Sequence, residues 1–193
     1  MYDRGEGPLN KNDLRVVKTK QNVHVALTKL LKVKPLSQIK VTELCLKAKI
    51  NRGTFYFHYQ EVGDVFKEFF EEIMVDLKES YDEPYRHTDI LDVEHLDPKT
   101  VRIFHHIKKY EDFYNIILSH EVSTEYYYML FDEIRKICIE DKNAVPTGKP
   151  NEYLYSYSAN AILGLIIQWY RHDFRESADE MNVHLVNILN RKI

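Results

Sequence analysis

Apolar residues recur three and four positions apart along almost the whole chain, which is the spacing of one face of an α-helix. The pattern predicts helices over 12–33, 41–48, 52–59, 62–77, 98–107, 111–118, 121–140, 151–172 and 178–191. No segment alternates apolar and polar residues over the length of a strand, and the sequence contains no internal repeat. We therefore predict an all-α fold.

Capping residues mark where several of these helices begin. Asn51 has the side chain and the position of an N-cap, and Asp97 is followed by Pro98, as at many first helical turns. Ser177 and Glu180 have the spacing of a capping box. These residues predict helix starts at 52, 98 and 178.

The last two predicted helices carry more apolar surface than one core can cover. A helix that is apolar nearly all round is buried nearly all round. In a small all-α protein, the same helix pair from a second copy is the simplest cover. We therefore expect a homodimer through residues 151–191, with an interface formed by Leu154, Ala161, Leu165, Trp169, Met181, Leu185 and Ile188.

One uncharged segment raises the question of a membrane span. Residues 153–170 contain no charge, but they include Ser156, Ser158, Asn160 and Gln168. A transmembrane helix needs about twenty mostly apolar residues. A helix buried on two sides of a soluble assembly fits this segment better, so we expect no membrane contact.

The charges are distributed very unevenly in this chain of 193 residues, whose net charge is only −3. Residues 9–60 hold eleven Lys and Arg against two acids, whereas residues 61–193 hold fifteen against twenty-six. A basic N-terminal segment on an acidic body suggests that one end meets a polyanion. We predict two domains, 9–60 and 61–193, with irregular connections over 82–97 and 141–150 inside the second.

The chain has two cysteines, Cys45 and Cys138, and both lie inside apolar helical patterns. Two such residues cannot form a disulfide framework, so we expect buried, reduced thiols. No basic segment followed by an apolar one opens the sequence. We therefore expect a cytoplasmic protein.

The densest set of chemically useful residues lies in residues 39–59. Two short predicted helices are joined there by a tight turn at Lys49-Ile50, which is the layout of a helix-turn-helix. The second helix opens with small polar residues that allow close approach, and the Arg52 guanidinium matches a guanine edge or a phosphate. Tyr56 and His58 can donate to phosphates, with Phe55 and Phe57 expected to point toward the core.

These residues resemble the TetR family of transcriptional regulators. The resemblance covers Leu14 to about Leu77 and rests on Ile39-x-Val41, Ala48 and the run from Thr54 to Tyr59. Residues 164–181 are also similar to a C-terminal domain of many Gram-positive members, among them regulators of dihydroxyacetone kinase genes. The resemblance implies a homodimeric regulator, more often a repressor, bound to a pseudo-palindromic site in double-stranded DNA.

The resemblance also implies roles for individual residues. Base-edge contacts fall on Arg52, Gly53 and Thr54, phosphate contacts on Tyr56 and His58, and backbone contacts of the second helix begin at Thr42. The full set that we expect at the DNA is Lys40, Thr42, Lys49, Asn51, Arg52, Gly53, Thr54, Tyr56 and His58. Tyr56 as a core-edge aromatic and His58 as a structural cap are the alternatives.

Three positions depart from the family pattern. Lys49 replaces the turn glycine, so the turn must either adopt a strained left-handed conformation or change shape. Lys40 replaces the threonine that opens the second helix, and Val62 replaces a phosphate-binding lysine. Lys40 and Lys49 can restore the positive charge that is lost at Val62.

Regulators of this family respond to a small molecule in the C-terminal domain, and the aromatic residues there are candidates to bind one. The expected lining is Phe113, Tyr114, Tyr127, Phe131, Tyr157 and Trp169. Aromatics at helical spacing also make an ordinary core, so a plain core is the alternative. A different class of function, a co-regulator that acts through a partner protein without binding the operator, also fits the three departures.

The sequence offers little for catalysis. It has no glycine-rich phosphate loop and no nucleophile in a recognisable elbow. His24, His105, His106 and His184 have no metal-ligand partner at i+4. We therefore expect no enzyme activity, no cofactor and no metal site.

Overall fold

A computed structural model describes residues 14–85, 95–119, 124–140 and 151–191. Within these ranges the chain is all-helical, as predicted. The α-helices are α1 (Leu14–Leu31), α2 (Val41–Ala48), α3 (Arg52–His58), α4 (Val62–Asp82), α5 (Ile103–Lys109), α6 (Glu111–Ile117), α7 (Thr124–Glu140), α8 (Glu152–Arg171) and α9 (Ala178–Leu189). Short 3-10 turns lie at Leu36–Gln38, Glu83–Tyr85 and Pro98–Thr100. The predicted connection over 141–150, most of that over 82–97 and the start at 121 lie outside the described residues.

The chain divides into two compact units, Met1–Phe70 and Glu71–Ile193. We call them the head and the body. The boundary falls ten residues after the predicted one, inside α4, because the first turns of that helix pack on the head. Val65 and Phe66 are buried there, and the Glu68 carboxylate accepts a 2.5 Å hydrogen bond from the Tyr59 hydroxyl.

The core of the head is apolar and comes from all of its helices. α1 packs on α2, and α2 packs on α3. Leu27 of α1, Leu44 of α2 and Phe55 of α3 are fully buried. This burial fixes which faces of α2 and α3 remain exposed.

The body has its own core around Trp169. α7 packs on α8, and α5 packs on α9. The Trp169 ring lies edge-on to Phe104 and Phe174, at 5.8 and 5.1 Å between ring centroids. Its indole N–H donates to the Glu176 carbonyl at 3.1 Å, so this large side chain satisfies its polar atom locally and ties the end of α8 to the start of α9.

All three predicted caps are confirmed, and two of them open the predicted helix. The Asn51 side chain accepts from the Thr54 N–H at 2.7 Å, and Ser177 with Glu180 forms a complete capping box. Both α3 and α9 therefore begin where the sequence predicts.

The helix predicted to run from residue 98 to residue 107 was wrong in its extent. Asp97-Pro98 begins a single 3-10 turn, and α5 starts only at Ile103. The chain becomes extended at Val101, whose carbonyl accepts a 3.0 Å hydrogen bond from the buried Asn182 side chain. A tertiary contact thus takes the carbonyl that a continuing helix would use.

The two cysteines and the uncharged segment 153–170 are both within the described residues. Cys45 and Cys138 are both buried, and the two do not form a disulfide. None of the described helices, including the one that contains residues 153–170, is both long enough and apolar enough to span a bilayer.

Candidate nucleic-acid interface

The turn between α2 and α3 is left-handed at Lys49. Its φ and ψ are 57° and 44°, so the chain takes the strained alternative of the two that the sequence allowed. The Ile50 N–H donates to the Cys45 carbonyl at 3.0 Å and the Lys49 N–H to the Leu46 carbonyl at 3.3 Å. This Schellman pair ends α2 and turns the chain sharply into α3.

The start of α3 is held by a compact cap. Besides the Thr54 N–H, Asn51 Oδ1 accepts from the Thr54 hydroxyl at 3.1 Å. A Cβ on Gly53 would lie 3.2 Å from the same oxygen, so a side chain there would crowd the cap. Asn51, Gly53 and Thr54 thus form one rigid first turn, of which Thr54 is only half-exposed.

Arg52 and Tyr56 form the polar edge of α3. The Arg52 guanidinium lies 5.7 Å from the centre of the Tyr56 ring, and half of Tyr56 is exposed. The two residues are four apart and share a helix face, so the ring orients the guanidinium while the phenol and the N–H donors remain accessible. The exposure of Tyr56 fits the predicted role better than a position at the edge of the core.

The exposed lysines of the helix-turn-helix surround this edge. Lys40, Lys47 and Lys49 are all exposed, and within the described residues none of them is paired with a carboxylate. Thr42 is likewise exposed, at the first turn of α2. Because these three lysines form no ion pair in the described part of the chain, they remain available to an anionic partner.

His58 lies half-buried at the end of α3. Burial lowers its pKa, and the Lys20 ammonium lowers it further, while Glu68 opposes them. The imidazole is therefore mostly neutral at pH 7, and as a neutral ring it can donate one hydrogen bond. Val62, where the family pattern has a phosphate-binding lysine, is a buried residue of the head.

The prediction that Phe57 points toward the core was wrong. Phe55 is fully buried, whereas Phe57 is 64% exposed. Alternation of inward and outward residues is the rule for strands, but residues two apart on a helix are about 200° apart. Phe57 therefore faces solvent on the side of α3 away from the core.

The predicted dimer residues in the body fall into three environments. Trp169 and Met181 are buried in the protomer, so they are unavailable to a second copy and leave the predicted interface. Leu154, Leu165 and Leu185 are half-buried, and Ala161 and Ile188 are exposed. The sequence could not separate these environments, because both sides of α8 and α9 are apolar.

An exposed uncharged stripe runs along α8. Its members are Tyr153, Tyr157, Ala161, Gly164 and Gln168. A Cβ added to Gly164 would have no atom within 4 Å, so the middle of the stripe is open. On α9 the large apolar residues with exposed side chains are Val183, Ile188 and Leu189. We call these two sets together the α8–α9 face.

The predicted effector-pocket residues do not share one environment. Phe113, Tyr114 and Trp169 are buried, Tyr127 and Phe131 are half-buried, and Tyr157 is 73% exposed. Trp169 fills the core between Phe104 and Phe174, as described above. The alternative of a plain aromatic core therefore accounts for the buried members.

A polar cleft lies elsewhere in the body, between α4 and α5. Its volume is about 330 Å³, and its lining is Asp76, Glu79, Ser80, Glu83, Arg102, His105, His106 and Lys109. The sequence analysis missed this cleft, because its residues come from two segments that nothing in the sequence pairs with each other. The available signal was that residues 76–83 and residues 102–109 each place polar side chains at i, i+3, i+4 and i+7, which puts them on one face of a helix.

A hydrogen-bonded chain links the cleft to the core of the body. The Asp76 carboxylate lies 2.6 Å from His106 Nδ1, and His106 Nε2 lies 2.9 Å from the Tyr114 hydroxyl. Lys109 donates to the other Asp76 oxygen at 2.5 Å. Burial lowers the pKa of His106 although Asp76 opposes it, and burial raises the pKa of Tyr114. The neutral imidazole can thus donate to Asp76 and accept from Tyr114.

Comparison with known proteins agrees with this architecture. A TetR-type family model described as "Transcriptional regulator C-terminal region" matches residues 94–191. An uncharacterised HTH-type transcriptional regulator of Bacillus subtilis, YxbF, is 20% identical over 173 residues, which are 88% of this chain. The chain spans only 44% of the length of that relative.

Solved structures show the same fold. The dihydroxyacetone kinase operon activator DhaS has a TM-score of 0.61 at 17% identity, covering 92% of this chain and 97% of its own. A TetR-family regulator from Syntrophomonas wolfei has a TM-score of 0.67 at 16% identity, covering 90% and 93%. The fatty acid degradation regulator FadR from Bacillus halodurans has a TM-score of 0.63 at 14% identity, covering 89% and 94%.

Proposed function

This chain belongs to the TetR family of transcriptional regulators, and we propose that it binds a pseudo-palindromic DNA operator as a homodimer and represses transcription. Each head places the first turn of α3 in a major groove. A small-molecule effector bound in the body releases the DNA. The protein works in the cytoplasm, where its target DNA lies.

The observation that carries the proposal is the exposed surface of the helix-turn-helix. Arg52 and Tyr56 are fixed by a capped first turn, and the unpaired lysines beside them are the counterions that phosphates need. The DNA set is Lys40, Thr42, Lys49, Asn51, Arg52, Gly53, Thr54, Tyr56 and His58. Asn51, Gly53 and Thr54 act mainly by holding the helix start.

The homodimer is proposed from the α8–α9 face. Its α8 stripe is uncharged and small in the middle, at Ala161 and Gly164, so two α8 helices can approach closely across a two-fold axis. Exposed Ile188 and Leu189 of α9 supply apolar area beside it. Sedimentation equilibrium at micromolar concentration tests this part, and a monomer would contradict it.

The effector site is proposed at the polar cleft between α4 and α5. The cleft is large enough for a small metabolite, and Arg102 and Glu79 offer opposite charges to a polar ligand. Thermal denaturation with a panel of phosphorylated and hydrophobic metabolites measures binding, since a ligand of the folded state raises the melting temperature. Arg102→Ala should abolish the shift. If no compound shifts the melting temperature, the proposed effector site is contradicted.

DNA binding is tested by a gel shift with the region upstream of the gene itself. We expect retardation that weakens by orders of magnitude between low and physiological salt, because phosphate contacts release counterions. A partner-dependent co-regulator would leave this DNA unshifted. A weak salt dependence would also contradict the proposal.

A further inference from the structure

Phe57 lies on the side of α3 that points away from the core of the head. Successive residues of a helix are about 100° apart, which puts Phe57 opposite Phe55 and Tyr59, both of them buried. Its ring is mostly exposed and meets the edge of the His58 ring at 4.9 Å. On a recognition helix the side opposite the core is the side that enters the groove.

The turn before Phe57 leaves room for its ring. Gly53 is four residues earlier on the same side, and helical side chains lean toward the N-terminus, over the preceding turn. Gly53 has no side chain, and a Cβ added there would have only Asn51 Oδ1 within 4 Å, so nothing else fills that side of the first turn. Arg52 and Tyr56 border this surface on one side, and Thr54, held by Asn51, borders it on the other. The outer side of α3 is thus apolar at its centre and polar at both edges.

The major groove presents one apolar group to such a surface, the C5 methyl of thymine. We infer that Phe57 reads sequence by contacting a thymine methyl in each half-site. This inference rests on the proposed function, because it requires α3 to lie in the major groove. It adds a second kind of base to the readout, since the Arg52 guanidinium matches guanine or phosphate and cannot recognise a methyl group.

The size of the effect follows from the chemistry of one methyl group. Burying one is worth about a fourfold change in affinity, and about fifteenfold when both half-sites lose it. Deoxyuridine removes this methyl group and leaves the Watson–Crick pair unchanged. It therefore isolates the contact that the inference requires.

The experiment uses the full chain and duplexes selected from a random-sequence pool. Each thymine of the selected duplex is replaced in turn by deoxyuridine, and affinity is measured by fluorescence anisotropy. We expect one thymine per half-site at which the substitution weakens wild-type binding about fourfold. Phe57→Ala should bind the original and the deoxyuridine duplex equally at that position.

Tyr56→Ala is the matched control, because it removes an adjacent, half-exposed aromatic ring. It should weaken binding to both duplexes by the same factor and keep the thymine preference. Thermal denaturation checks that the variants are folded, which the exposure of Phe57 leads us to expect. If the protein binds a duplex but no thymine is sensitive, or if Phe57→Ala keeps the sensitivity, the inference fails alone. If no duplex is selected, the proposed function fails with it.

Discussion

Helices α3 and α8 make an instructive pair, because each buries one side in its own unit and leaves the opposite side exposed. The exposed side of α3 carries Arg52, Tyr56 and Phe57, with unpaired lysines nearby. The exposed side of α8 is free of charge from Tyr153 to Gln168 and has Gly164 near its middle. Both helices thus have an exposed side, but that of α3 is charged and that of α8 is uncharged.

The difference indicates the kind of partner that each helix suits. A charged surface with a preorganised guanidinium gains most from a polyanion, whose phosphates replace its counterions. An uncharged stripe with small residues gains most from close packing, which an identical helix provides. The predictions below alter one surface at a time, beginning with the largest expected effect.

The largest effect is expected from Gly164→Glu in the centre of the α8 stripe. Two carboxylates brought together at a two-fold interface and deprived of water should weaken the dimer at least a hundredfold, since an unpaired buried charge costs about 3–5 kcal/mol. Sedimentation equilibrium measures the loss. Because a Cβ at this position touches nothing in the protomer and Glu favours a helix more than Gly does, the monomer should be no less stable than the wild type.

Gly164→Ala is the control for this change. Alanine favours the helix by about 1 kcal/mol and adds only one methyl group, so the protomer should become slightly more stable. A Gly164→Glu protein that stays dimeric at micromolar concentration would place the interface elsewhere.

The next effect concerns the exposed side of α3. Arg52→Ala should cost about 1–3 kcal/mol on the preferred DNA and relax the preference at one base position, whereas Tyr56→Ala should weaken binding to all sequences about equally. Competition gel shifts with point-substituted duplexes separate the two patterns. An unchanged preference in Arg52→Ala would remove this residue from base reading.

Features that depend on residues close together in the chain could be predicted from the sequence, whereas features that depend on distant residues could not. Asn51 and the pair Ser177–Glu180 were predicted correctly because each cap depends on atoms within three residues. The length of the helix at Asp97-Pro98 was misassigned because the deciding hydrogen bond joins Val101 to Asn182, eighty-one residues later. Local chemistry can be inferred from a sequence, whereas competition from a distant donor cannot.

The functional surfaces show the same difference between local and long-range interactions. The helix-turn-helix was recognisable because its residues are contiguous, and the placement of Phe57 failed only because a strand rule was applied to a helix. The cleft could not be found, since the 2.6 Å contact between Asp76 and His106 joins residues thirty apart with no motif. Trp169 was misassigned because its burial depends in part on Phe104, sixty-five residues earlier in α5.

A smaller effect is expected at Lys49, where backbone strain and charge can be separated. Lys49→Gly should raise the free energy of unfolding by about 1 kcal/mol, because glycine adopts the left-handed conformation without steric penalty. The same change should reduce the salt slope of DNA binding by about one per subunit if the ammonium contacts a phosphate. Chemical denaturation and salt-dependent anisotropy measure the two quantities.

Lys49→Gln separates the two causes. It removes the charge and keeps a side chain at φ 57°, so the salt slope should fall as in Lys49→Gly while the stability gain is absent. Equal stability gains in both variants would mean that charge repulsion, rather than backbone strain, is relieved.

The smallest effect is a pH dependence that originates in the body. Burial lowers the pKa of His106 in the folded protein, so as the pH falls below about 6.5 the unfolded chain takes up a proton that the folded chain resists. The free energy of unfolding should therefore decrease from pH 7.5 to pH 5, and His106→Gln should flatten that slope.

Tyr114→Phe removes the hydrogen bond to His106 Nε2 but keeps the titrating ring, so it should lower stability and preserve the slope. Denaturant melts across this range give the comparison; if His106→Gln keeps the wild-type slope, other groups such as His24, whose pKa burial also lowers, dominate it.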